Sequence, residues 1–346
     1  MPYNKGDFTQ QGVNGDVSAL VRLNEKRVMK VVLSSDDESD NCDISGKVYD
    51  LLNGADYNIG SEASGNIDIN TNGVHDVSAY TTATVQVPDT LADAVISKDF
   101  TGITSITTNA TDIRNACFEN GTSIVSINAP NALKIREKAF KGCTALTTVN
   151  LPECTEITFS DSSSAGSQFQ NCSALTTINI PKVTKINGYN TFSGCSSLTE
   201  LILPAVTQIY QGQAAFQNMT SMTRFIASHL TSSIGSAAGI FTGDTALELI
   251  DLGKSAPPSG TTPFANCSAL ATIILRNTSK STTNSGIYGD TQFGAGGTGG
   301  TVYVPSSLLS SYQSDSTWAA IMALNANNQF KALEGSPYEQ LDWYEV

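Results

Sequence analysis

Residues 140–157 read FKGCTALTTVNLPECTEI, and two later stretches repeat the pattern: FQNCSALTTINIPKVTKI over 169–186 and FSGCSSLTELILPAVTQI over 192–209. Aligned on phenylalanine, the series runs through Phe118, Phe140, Phe169, Phe192, Phe216, Phe241 and Phe264, with spacings of 22, 29, 23, 24, 25 and 23 residues. Self-similarity at such a period marks a solenoid, in which each unit buries its apolar face only by stacking on its neighbours.

The positions within the unit have physical readings. Six residues after the phenylalanine stands Ile124, Leu146, Leu175, Leu198, Met222, Leu247 or Leu270. Three further on comes Ile127, Val149, Ile178, Leu201, Phe225, Ile250 or Ile273, and two beyond that Ala129, Leu151, Ile180, Leu203, Ala227, Leu252 or Leu275. The last two sets are one strand period apart, so both enter the core of a parallel β-sheet stack while the residues between them point outward. Pro130, Pro152, Pro181 and Pro204 end the strand, because proline has no N–H for the ladder. Ile135, Ile157, Ile186 and Ile209 then return the chain to the core. Eight such coils at the inter-strand spacing give an array about 40 Å long.

Two residues after each phenylalanine stands Asn120, Gly142, Asn171, Gly194, Asn218, Gly243 or Asn266. Only Asn and Gly occur, the types that best accept a positive φ, so a tight left-handed turn is expected once per coil. The next position holds Cys143, Cys172, Cys195 and Cys267, with Gly121, Met219 and Asp244 in the other copies. This predicts a column of small buried side chains, not a metal or redox ladder, because Gly, Met and Asp in the other copies would break a ladder of ligands, whereas a packing column tolerates such variety. None of the seven cysteines forms a C-x-x-C pair and their number is odd, which speaks against a zinc site or a complete disulfide framework.

The pattern F-x-x-C-x-x-L-x-x-I-x-L-P, followed by isoleucine before the next phenylalanine, resembles the BspA-like leucine-rich repeat over about residues 100–305. The copies at Phe216 and Phe241 lack the cysteine and the proline. The resemblance implies a β-rich leucine-rich-repeat solenoid with a parallel sheet face and a function in binding: members are often bacterial surface proteins that bind host proteins or other cells, and similar repeats occur in phage structural proteins. Residues 72–88, NGVHDVSAYTTATVQVP, resemble a small β module found beside such repeats in phage-like proteins, with Val74, Val77, Val85 and Val87 reading as strands.

Four regions follow. Residues 1–65 do not repeat and read as a small α/β or β region attaching the array to something else; their acidic run SSDDESDNCD, Ser34 to Asp43, lacks the Gly and Glu offsets of a calcium loop and reads as a solvated segment. Residues 66–93 form the small β module, 94–304 the repeats, and 305–346 a helical cap and tail. In the cap, Pro305 fits a helix start, Leu308, Leu309 and Tyr312 share a face, and Trp318, Ile321, Met322 and Leu324 suggest a second helix. Tyr338, Trp343 and Tyr344 either pack on the cap or dock a neighbouring subunit.

The chain has 346 residues and a formal net charge of −13, an acidic balance that argues against nucleic-acid partners. No apolar stretch reaches membrane-spanning length, and the polar N-terminus carries no secretory signal pattern. No catalytic group, cofactor site or metal site is proposed: His75 and His229 stand in unlike contexts, and GAGGTGG at 294–300 lacks the Lys-Ser or Lys-Thr of a phosphate loop. The function expected is non-enzymatic adhesion.

The candidate contact surface is the outward sheet face. Its first coils are polar, with Ser126, Asn128, Thr148, Asn150, Thr177 and Asn179. Later ones bring Glu200, Ile202, Arg224, Ile226, Leu249, Asp251, Thr272 and Ile274 to the same face. The apolar strip of Ile202, Ile226, Leu249 and Ile274 is expected to meet a partner, a sister subunit or the cap, or else to lie under an insertion at Ser279–Gly300. Expected partners are a protein or glycan on a cell surface, other virion proteins through residues 1–65, and a second copy in a homo-oligomer. The place expected is a virion surface, with a bacterial surface as the alternative.

Overall fold

The computed structural model describes residues 104–340, apart from 108–110, 114, 159–165, 211–213, 233, 235–238, 259–261, 282–292 and 295–297, and in the first hundred residues the backbone of isolated strands. In chain order these early strands are β1 Val17–Leu23, β2 Arg27–Leu33, β3 Ser64–Asp68, β4 Val74–His75, β5 Thr82–Gln86 and β6 Val95–Ile96. The repeats supply β7 Ser105–Thr107, β8 Asp112–Ile113, β9 Ser126–Asn128, β10 Lys134–Ile135, β11 Thr148–Asn150, β12 Glu156–Ile157, β13 Thr177–Asn179, β14 Lys185–Asn187, β15 Glu200–Ile202 and β16 Gln208–Tyr210. Then come β17 Arg224–Ile226, β18 Leu249–Asp251, β19 Thr272–Ile274 and β20 Thr301–Val304. A 3₁₀ turn, Ser306–Leu308, leads into α1 Leu309–Gln313 and α2 Ser316–Met322, and β21 Gln329–Ala332 closes the array.

The strands of successive coils pair in parallel, in the register that the repeat alignment anticipates. β11 pairs in parallel with β9 and β13, setting Val149 opposite Ile127 and Ile178. A second parallel ladder, in the order β16-β14-β12-β10-β8, runs along another side of the solenoid, with Ile135, Ile157, Ile186 and Ile209 turned inward. The backbones of β3 and β5 extend the main ladder beyond β7. The acidic run at 34–43 and the aromatics Trp343 and Tyr344 lie outside the described residues.

The phenylalanines form the spine. Phe118, Phe140, Phe169, Phe192, Phe216, Phe241 and Phe264 are all fully buried, and consecutive rings stack at 5.2–6.0 Å between centroids. Each buried ring contributes about 1.5–3 kcal/mol of transfer free energy, and each offset pair roughly 0.5–1.5 kcal/mol more. The Asn and Gly positions all have positive φ, from 60° at Asn218 to 84° at Gly243.

Two core expectations need correction. Ile178 is half-buried although it occupies a core position, because the main sheet is interrupted beside it: β13 ends one six-stranded sheet and β15 begins another. The coils stay in contact across this seam, with Phe169 and Phe192 stacked at 5.2 Å and β14 paired to β16. Leu324 lies beyond α2 and is exposed; the helix buries Trp318 and Ile321 instead, capped by Asp315, whose carboxylate accepts the Thr317 and Trp318 N–H groups.

Candidate functional site

The outward face divides at the seam. On the N-terminal side it is a polar lattice. Thr148, Thr177 and Asn179 are exposed, and Asn128 and Asn150 are half-buried. Parallel in-register pairing brings the same position of successive coils into line, so the asparagines form a ladder. Asn150 Nδ2 donates to Asn128 Oδ1 at 2.7 Å, and Asn179 Nδ2 donates to Asn150 Oδ1 at 2.7 Å. Beside it the Ser126 hydroxyl donates to Ser105 at 2.9 Å, while the Thr147 and Thr176 hydroxyls donate to the Val125 and Thr147 carbonyls of the preceding coils. The repeating sequence foretells the columns; their lateral bonding follows only from the register.

Beyond the seam the face carries charge and apolar bulk. Glu200 and Arg224 pair across adjacent strands, and Ile202 and Thr272 remain half-exposed. Ile226, Leu249, Asp251 and Ile274 point outward as expected but are buried, so the strip is not free for a partner there. Among the described residues its cover comes from the C-terminal segment of the chain: Leu333 clusters with Ile226, Leu249 and Ile274, joined by Tyr303 and Tyr338, whose rings meet edge-on at 4.9 Å; most of the 279–300 insertion lies outside the described residues.

A buried ion pair fastens this cover. Asp251 is fully buried and bonds the Arg276 guanidinium, at 2.9 Å to Nη2 and 3.0 Å to Nε, while also accepting the Gly253 N–H. Burial raises the Asp251 carboxyl above its usual value, and Arg276 opposes that shift without cancelling it. The same guanidinium donates to the Tyr338 carbonyl at 2.7 Å and the Glu339 carbonyl at 3.1 Å. Sequence reasoning missed this clamp. Its signal is an acid on an outward strand position followed one coil later by an arginine where other copies place proline.

The cysteine column is a packing device. Cys143, Cys172, Cys195 and Cys267 are fully buried, and each thiol donates to the carbonyl of the phenylalanine in the preceding coil, at 3.0–3.2 Å. Burial pushes the Cys143 and Cys195 thiols up to about 12, far from a reactive thiolate at neutral pH. Among the described residues no group of three or more His, Cys, Asp or Glu is arranged to hold a metal. His229 is exposed, with its Nδ1 3.4 Å from the hydroxyl of its neighbour Ser228, while nearby Asp251 is committed to Arg276.

The repeat geometry and the sequence period together match one family. A profile described as "BspA type Leucine rich repeat region" aligns in six copies, over residues 97–165, 111–238 and 162–292, more than half of the chain. The chain belongs to the BspA-type leucine-rich repeat family. Solved structures similar to these repeats include a leucine-rich repeat protein from Bacteroides ovatus, 19% identical, with 56% of this chain and 59% of that one covered and a TM-score of 0.38. A leucine rich cell surface protein from Faecalibacterium prausnitzii is 17% identical over 73% of this chain and 92% of that one, at a TM-score of 0.29. The BspA-type chain thus spans about three fifths of the Bacteroides protein. No curated protein matches. Among the described residues no helix is long and apolar enough to cross a membrane. A leucine-rich-repeat solenoid of this kind is typically an interaction scaffold.

Proposed function

We propose that the chain is a non-catalytic adhesion protein whose contact surface is the polar half of the outward sheet face, centred on Thr148, Asn150, Thr177 and Asn179. The observation that carries this reading is the asymmetry of the face: its apolar half is sealed by the chain's own C-terminal segment, whereas its polar half is exposed and held in lateral register by amide and hydroxyl bonds. A surface already ordered before contact loses little conformational entropy on binding. Glu200, Ile202, Arg224 and Thr272 line the rim toward the sealed half.

The finer reading is a phage appendage that adheres to a bacterial or mucosal surface, with residues 1–65 joining the array to other virion proteins and the repeats bounded at 94 and 304. The resemblance of residues 72–88 to modules of phage-like proteins supports it. Two measurements test the proposal. Fluorescently labelled chain is expected to bind bacterial cells or mucus, and T148R/T177R is expected to abolish binding without lowering the melting temperature; binding unaffected by these substitutions removes the surface from consideration. Mass spectrometry of purified phage particles is expected to detect the chain, and its recovery from cell envelopes alone replaces the virion with a bacterial surface.

A further inference from the structure

We propose that this polar half-face binds an uncharged polysaccharide, laid along the solenoid axis across β9, β11 and β13. The inference rests on the contact surface assigned above and narrows the partner. The chemistry of the lattice selects the class. The outward residues Ser126, Asn128, Thr148, Asn150, Thr177 and Asn179 are hydroxyls or carboxamides without exception. The rest of the solenoid differs: the second ladder places Lys134, Glu156 and Lys185 in neighbouring strands, and beyond the seam come Glu200 and Arg224. In a chain of net charge −13, a neutral patch three coils deep is set apart from these charged strands.

Each partner class makes a demand that this patch meets or fails. Nucleic acids and anionic polymers require cations, and these strands carry none. Stable protein interfaces centre on aromatic, Arg or large apolar anchors in desolvated pockets, and no aromatic or Arg side chain stands on β9, β11 or β13. A neutral sugar chain asks for donors and acceptors together at regular intervals. The asparagine ladder supplies them: Asn150, in its middle, spends one N–H and one carbonyl lone pair on its neighbours at 2.7 Å, which fixes its plane and leaves it one donor and one acceptor, while Asn128 and Asn179 at the ends each spend only one of these. The coil repeat of about 4.8 Å is comparable to the length of one sugar unit in an extended chain, so the pattern of hydroxyls along a polysaccharide meets the same pair of groups again and again. Single contacts of this kind are weak, and affinity comes from their number along the ladder.

Affinity electrophoresis of the full chain through gels containing dextran, yeast mannan or a soluble β-glucan tests this, with dextran sulfate as the anionic control. The expected result is retardation by at least one neutral polymer, at least tenfold weaker for T177A/N179A and unchanged for K134Q/K185Q on the second ladder. T177A alone, at an exposed hydroxyl, guards against loss of fold and is expected to weaken retardation with an unchanged melting curve. Retardation by none of the neutral polymers, retardation by dextran sulfate alone, or equal retardation of T177A/N179A overturns the proposal. Cell binding separates this failure from failure of the surface itself. Binding lost on periodate treatment of the cells supports the polysaccharide. Binding lost on protease treatment and retained after periodate, yet still sensitive to T148R/T177R, rejects the polysaccharide and keeps the surface.

Discussion

Asp244 Oδ1 accepts the Met219 N–H at 2.8 Å inside the column of buried thiols, and its second oxygen is buried without a hydrogen-bond partner. At the same position in other coils the thiol donates to the phenylalanine carbonyl one coil back, as Cys267 does to Phe241. The corresponding acceptor for Asp244 is the Phe216 carbonyl, which an acid can serve only while it carries its proton. Burial accordingly holds this carboxyl well above the ordinary range, with the Met219 N–H opposing the shift. A folded-state value raised above the unfolded one means that the folded chain binds the proton more tightly. The stabilisation is complete below the unfolded value of about 4 and drains as pH rises above it. D244N, which can donate to the carbonyl at every pH, is expected to gain about 1–3 kcal/mol at pH 7 and to flatten the stability profile between pH 4 and 7. Urea midpoints at several pH values check both, and a wild-type profile parallel to that of D244N refutes the assignment.

The left-handed turns couple neighbouring coils. A Cβ on Gly194 would lie 2.6 Å from Asn171 Oδ1, and Gly194 itself has φ +77°. G194A therefore suffers twice, from its backbone and from the asparagine beneath it, and is expected to cost about 2 kcal/mol or more. N171G removes the second cause only. In thermal melts the double variant N171G/G194A is expected to be more stable than the sum of the single changes; simple additivity would show that the asparagine does not fill that space.

The clamp on the C-terminal segment is a buried charge pair, so its halves are unequal when broken singly. R276M leaves the Asp251 carboxylate buried without its cation and is expected to cost about 3–5 kcal/mol, whereas D251N/R276M recovers most of that loss. Released from Arg276, residues 333–340 become open to limited proteolysis, and exposure of Ile226, Leu249 and Ile274 raises binding of a hydrophobic dye. An R276M chain as resistant to protease as wild type would show that Leu333 and Tyr338 hold the segment unaided.

Phe169 touches rings on both sides, so F169A removes two stacked contacts and is expected to cost about 3–5 kcal/mol. Because repeats interact with nearest neighbours only, hydrogen exchange is expected to accelerate first in the coils around Phe140, Phe169 and Phe192 and to spare the cap around Trp318. Uniform acceleration across the array would signify a single cooperative unit.

The spine was readable from residue types alone, because Phe, Leu and Ile recur at offsets fixed by strand period, and Asn or Gly stands wherever φ must be positive. The outward columns were readable for the same reason. What sequence could not supply was the fate of that face. Hydropathy reports that Ile226 and Ile274 lie on one side of a strand, but their cover comes from Leu333 and Tyr338, more than fifty residues later and with no periodic relation to them. The second ladder of β8 to β16 was also missed: two- and three-residue strands such as Lys134–Ile135 are too short for an alternating pattern to declare itself.

The turn positions run Asn, Gly, Asn, Gly, Asn, Gly, Asn from residue 120 to 266, and Asn120, Asn171 and Asn218 each fill the void left by the glycine that follows. Loss of a single coil would bring two asparagines into conflict or leave two glycines facing an empty space, whereas loss of two restores the order. A gene encoding such an array is thus free to lengthen or shorten by recombination in even steps, and its descendants should keep the parity of their coil number.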